Sequence, residues 1–198
     1  SETGGGETNE FTTQRFTILK IPANTTANAD ATYNWSVTNA PSENYSIANS
    51  TTKEALFAAA ETGVYELALA INDKGNLQTK KITITVTKEA KELKTFIAKV
   101  FEFKPAPGQF VNDLPVANDS DTADRVLQRA NSYLAKKNGD LISLGAFGGY
   151  VVFGFDHTIL NIKGKRDFRV LGNAFWAEAN PNPDAGMRGG SSEAGVIM

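Results

Sequence analysis

The chain has no cysteine. Disulfide frameworks, thiolate nucleophiles and zinc held on sulfur are thereby excluded, while a cysteine-free chain suits reducing and oxidising compartments alike. Histidine is nearly as scarce. His157 stands alone, so no His-x-x-x-His metal pair can be written and no Ser-His-Asp arrangement is readable. No apolar run approaches the ~20 residues of a membrane-spanning helix, and the opening residues lack the pattern of a signal peptide. Neither charge dominates: 20 Lys and Arg stand against 22 Asp and Glu, a formal net charge of −2. That balance leaves no footprint for nucleic acid or an anionic membrane.

What is present suits a folded, mainly β protein of one large or two small domains. Residues 1–10 are polar, acidic and glycine-rich, with nothing to bury, and are expected to form a flexible tether. They also resemble the segment that follows the lipidated cysteine of a bacterial surface lipoprotein. From Phe11 to Thr87 strand patterns recur between Asn/Thr-rich turns. Phe16 and Ile18 alternate in the first run. Tyr33, Trp35 and Val37 share one face, which would bury Trp35, and Tyr65, Leu67, Leu69 and Ile71 share another. Ile82, Ile84 and Val86 alternate in the last run, after a hairpin turn at Asn72-Asp73-Lys74-Gly75. Short strands at this spacing predict an antiparallel sandwich of immunoglobulin type.

Thr32-Tyr33-Asn34-Trp35-Ser36-Val37 and the run from Thr62 to Gly75 resemble a PKD (polycystic-kidney-disease) domain over residues 11–88. The resemblance implies a core Trp, a tyrosine corner at Tyr65, and a spacer or interaction module with no active site.

The charged run Lys88-Glu89-Ala90-Lys91-Glu92-Leu93-Lys94 reads as a junction; the alternative is a strand running straight on, which would stiffen it. An apolar run follows at Phe96–Phe103, with Phe101 and Phe103 on one face, and Pro105-Ala106-Pro107-Gly108 stops it. Ala123, Val126, Leu127, Ala130 and Leu134 recur at helical spacing and predict a helix over about 121–138. Asp121 or Ser120 is placed to cap it, Gly139 to end it, and Lys136 and Lys137 lie in its last turn. The centre of the second half is expected to be a long hairpin. Val151, Phe153, Phe155, His157 and Ile159 alternate with Tyr150, Val152, Gly154, Asp156 and Thr158, and Asp167–Trp176 returns across Gly164.

Little in these runs carries chemistry. His157 lies on the apolar face of its expected strand, which favours a hydrogen-bonded core histidine, and Asp156 points to the opposite face. Glu102, Asp113, Asp140, Asp156 and Glu178 leave a carboxylate pair open, as any acidic protein does. Asn118-Asp119-Ser120-Asp121 offers oxygens for calcium but lacks the turn glycine and terminal Glu of an EF-hand loop, and helix capping accounts for it more simply. Gly145, Gly148 and Gly149 precede a strand, so they are not a dinucleotide loop. The candidate ligand contacts are Tyr150, Phe175 and Trp176 with Asn173, Asn182 and Arg188. Together they suggest a stacking platform for a sugar or other planar ligand, the alternative being sheet core beside an ordinary loop. No catalytic residue, metal or cofactor is expected.

The run from Phe101 to Asn112 resembles the opening of a family of Bacteroidetes cell-surface proteins. Ile142–Gly149, Gly154–Ile159, Leu171–Phe175 and Ser191–Gly195 resemble later stretches of it. The resemblance implies a jelly-roll-like sandwich over residues 89–198 with one helix, behind a PKD-like domain. It further implies an outer-membrane lipoprotein held by a lipid anchor, binding a glycan or corrinoid for uptake or another surface protein. Because that family runs on past the equivalent of Met198, the second domain is expected to be cut short, exposing the face of Val151, Phe153 and Phe155.

Overall fold

The computed structural model describes residues 9–115, 122–135, 141–170, 175–176, 190–191 and 195–198. Seven strands come first: β1 (Asn9–Gln14), β2 (Leu19–Pro22), β3 (Thr32–Asn39), β4 (Tyr45–Ala48), β5 (Glu54–Ala59), β6 (Gly63–Asp73) and β7 (Asn76–Thr87). They form two sheets, ordered β1-β7-β6-β3 and β2-β5-β4. β6 and β7 pair from Gly63↔Val86 to Asp73↔Asn76. Lys74 at φ 54° and Gly75 at φ 90° make the two left-handed positions that such a two-residue hairpin needs.

Alternation sorts the strands as the sequence predicts. Tyr65, Leu67, Leu69, Ile71, Ile82, Ile84 and Val86 are at most 2% exposed and meet Ile21, Ala55, Phe57 and Ala59 of the other sheet. Trp35 is buried among them, and its indole N–H donates to the Thr52 carbonyl at 2.9 Å, so the ring enters the core without an orphaned donor.

The first run departs from expectation. Phe16 and Ile18 are not strand residues. β1 ends at Gln14 and lies parallel to β7, from Asn9↔Ile82 to Gln14↔Thr87, so the sandwich is not purely antiparallel. The chain then crosses to the second sheet, and Phe16 sits in that crossing at φ 54°.

The chain divides into two compact units, Ser1–Lys163 and Gly164–Met198. Beyond the sandwich the first unit holds β8 (Lys99–Lys104), α1 (Ala123–Leu134) and β9 (Tyr150–Gly154), together with the charged run 88–94. The second holds β10 (Phe175–Trp176) and β11 (Gly190–Ser191), paired antiparallel. Among the described residues these two ladders and the helix represent the region expected to be jelly-roll-like.

α1 is shorter than its periodicity suggests. Thr122, not Asp121 or Ser120, caps it: in an extended conformation its hydroxyl accepts from the Arg125 N–H. Ala135 forms the C-cap; Lys136, Lys137 and Gly139 lie outside the described residues. Ala130 is fully buried, and Asn131 Oδ1 accepts from the Val100 N–H at 2.9 Å, fastening the helix to β8.

The long central hairpin is not formed among the described residues. β9 stops at Gly154 and pairs with β8, and no strand covers 155–170. The alternation continues past the strand, but the chain bends at Asp156 and His157. There the Thr158 N–H donates to the Phe16 carbonyl at 2.9 Å instead of joining a ladder. Val151, Phe153 and Phe155 are half-buried, whereas Val152 on the opposite face is 44% exposed.

Candidate functional site

Of the expected ligand contacts, Tyr150 is the one whose surroundings are described. It opens β9, 38% exposed, and its hydroxyl donates to Glu102 Oε1 across the ladder. That bond is the main reason the phenol's pKa is raised, since the carboxylate favours the protonated form. Phe175 and Trp176 form β10 in the second unit. Asn173, Asn182 and Arg188 lie outside the described residues, as do Asn118-Asp119-Ser120-Asp121, Asp140 and Glu178.

Tyr150 belongs to a surface that sequence reasoning missed. The ladder shifts register between Val100 and Glu102, so Phe101 is an extra residue. The shift separates Phe101 from Phe103, which were expected on one face: Phe103 pairs with Val151, on the side of buried Val100, and Phe101 is 56% exposed. The Phe101 ring leans over Gly154, where a Cβ would meet Cε2 at 2.7 Å. The Lys99 ammonium lies 5.3 Å from the ring centroid. The outer face of β8–β9 thus carries Phe101, Val152 and Tyr150, with Lys99, Glu102 and Lys104 around them. A bulge has no signature in a run this short, so nothing in the sequence marked Phe101 as exposed.

Two further aromatics stand on loops beside this ladder. Phe110 is 60% exposed, and Phe147 wholly so. Their loops are knitted together by hydrogen bonds from Ala106 N–H to Leu144 O, Ser143 N–H to Leu114 O and Ser143 Oγ to Gln109 O. The glycines there permit backbone to lie on backbone. A Cβ on Gly145 would stand 1.9 Å from the Ala106 carbonyl oxygen, and one on Gly149 would stand 1.7 Å from that of Leu144. Close packing explains Gly145 and Gly149, which the sequence had shown only to be unsuited to a dinucleotide loop.

A second cluster surrounds the single histidine. His157 Nδ1 lies 2.9 Å from Asp156 Oδ1, contrary to the expectation that these side chains point apart. That expectation assumed a strand, and the bend brings consecutive side chains together. The imidazole is half-buried beside Phe16, with centroids 5.5 Å apart, and Phe155, at 6.1 Å. Asp156 also accepts from the Lys94 N–H at 3.2 Å; the His157 bond foremost, then this one, hold its carboxyl below the ordinary aspartate value. Nearby, Arg15 donates twice to Glu89, Nε to Oε2 at 2.7 Å and Nη2 to Oε1 at 2.6 Å. Among the described residues no group of three or more His, Asp or Glu side chains is placed to hold a metal ion. No helix among them is long and apolar enough to cross a membrane.

Among the described residues the fold is all-β with a single short helix. The chain begins with an Ig-like sandwich, with three strands against four and a tyrosine bonded back to the main chain at the entry to β6. No protein-family model matches it, and no curated protein matches it either. Among solved structures it is weakly similar to the PKD domain from KIAA 1837 protein. The TM-score is 0.37 at 16% identity, over 46% of this chain and 96% of that one.

Proposed function

We propose that the protein is a non-catalytic cell-surface binding protein. In this reading the sandwich is a spacer, and the second half engages a glycan or corrinoid for uptake across an outer membrane. Asn9 and Glu10, expected in the tether, belong to β1, and the polar stretch 1–8 ahead of them has the composition of a tether to a lipid anchor. The supporting observation is a contrast in exposed apolar surface. The sandwich exposes Ile18, Val64 and Leu77, whereas Phe101, Phe110, Phe147, Tyr150 and Val152 are all exposed on β8, β9 and the loops beside them. Aromatic surface of this kind marks sites of contact. Glycan arrays and calorimetry with corrinoids test the reading. Binding to one class, weakened at least tenfold in Phe101→Ser, is the expected result, and binding to neither overturns it.

A structural or adhesive surface protein is the second reading. It is favoured by the absence of any charged side chain in residues 105–112 and 141–150, the stretches that display Phe110 and Phe147, because the cores of protein interfaces are depleted in charge. A protein that binds neither ligand class, yet adheres saturably to isolated outer membranes and loses that adhesion on Phe147→Ser, fits this reading.

A further inference from the structure

The crossing between β1 and β2 reaches the segment that follows β9. Phe16, at φ 54°, holds a left-handed conformation unfavourable for a bulky residue, of the kind that persists where the surroundings fix it from several sides. Its N–H donates to the Ala59 carbonyl at the end of β5, and its carbonyl accepts from the Thr158 N–H, each at 2.9 Å. Its ring meets the His157 imidazole edge-on. Arg15 is gripped by Glu89, just past the end of β7, and its guanidinium lies 5.6 Å from the Phe16 ring centroid. The chain then runs from Glu89 to Lys94, whose N–H donates to Asp156, and Asp156 in turn holds His157. These contacts close a circuit: the turn of the sandwich, the bend after β9, and the connecting run all bind one another.

Neighbouring modules ordinarily move relative to each other unless something opposes it, and a charged, largely exposed run such as 88–94 has the composition of a hinge. We infer that Phe16 is a keystone that abolishes this hinge, so that the sandwich and the β8–α1–β9 layer reorient as one body. The inference does not depend on which ligand is bound. Its consequence is that the exposed aromatic surface is presented in a fixed direction from the spacer.

Residual dipolar couplings on the full 198-residue chain test it, with amides of β3, β6 and β7 fitted separately from those of β8, α1 and β9. One alignment tensor is expected to fit both sets in the wild type. Phe16→Ala, and independently His157→Ala, which leaves the crossing itself untouched, are each expected to give two tensors while the amide shifts of β3, β6 and β7 hold. Two tensors in the wild type, or one common tensor surviving in both variants, overturns the keystone.

Discussion

Tyr65 donates its hydroxyl to the Glu61 carbonyl at 3.0 Å, tying the entry of β6 to the corner before it. The ring is fully buried, with centroids 5.2 Å from Phe57 and 6.1 Å from Tyr45. The hydroxyl is a donor at neutral pH, as any phenol near its ordinary value is, and burial pushes its pKa further up. Tyr65→Phe keeps the ring and strands the carbonyl, and is expected to cost about 1 kcal/mol in urea unfolding. Equal stability of variant and wild type would show that the corner contributes nothing.

The Arg15–Glu89 pair sets a dependence on acid. Glu89 is held down at about 2 from an ordinary 4.5, chiefly by the hydrogen bond from Arg15. A carboxyl whose folded value is depressed adds stability that is complete above its unfolded value and is lost as pH falls through the folded one. Arg15→Met removes the partner. The stability gap between wild type and variant should therefore be widest above about pH 5 and close as pH falls towards about 2. A gap that stays constant over that window in pH-dependent melts would contradict the assignment.

Gly148 and Gly149 separate two effects of adding a methyl group. At Gly148, φ is 97° and a Cβ would meet nothing within 4 Å, so Gly148→Ala carries backbone strain alone, about 1–3 kcal/mol. Gly149 has no such φ, but its Cβ would strike the Leu144 carbonyl oxygen and approach the Ala106 nitrogen at 2.8 Å. Those two atoms make the hydrogen bond that joins the loops. Gly149→Ala is expected to lower the melting temperature further than Gly148→Ala does. The reverse order would mean that the loops do not lie on one another.

The sandwich was legible because each of its long strands buries one face. Once Leu67 and Leu69 point inward, Tyr65 and Ile71 must follow, and no register slip preserves the pattern. The surface around Tyr150 was not legible, since the sequence of β9 is compatible with either neighbour, and its partner β8 lies some fifty positions back. A strand pattern also does not announce where pairing ends: Phe155, His157 and Ile159 keep the alternation while the backbone bends. Phe16 gave no warning of its left-handed conformation, because that conformation is held by Ala59 and Thr158, both remote in sequence. Of the expected platform, the surroundings of Tyr150 are described, and its hydrogen bond to Glu102 follows from cross-strand register that only the fold supplies.

The parallel pairing of β1 with β7 has a mechanical consequence. The chain enters at Asn9 beside Ile82 and leaves past Thr87 beside Gln14, so tension along the polypeptide pulls the two strands lengthwise past each other. The hydrogen bonds between them are then loaded together, as in a lap joint, and cannot break singly as they would in a hairpin drawn open from its ends. Stretching the sandwich between its two ends therefore loads this ladder in shear along its whole length, from Asn9↔Ile82 to Gln14↔Thr87.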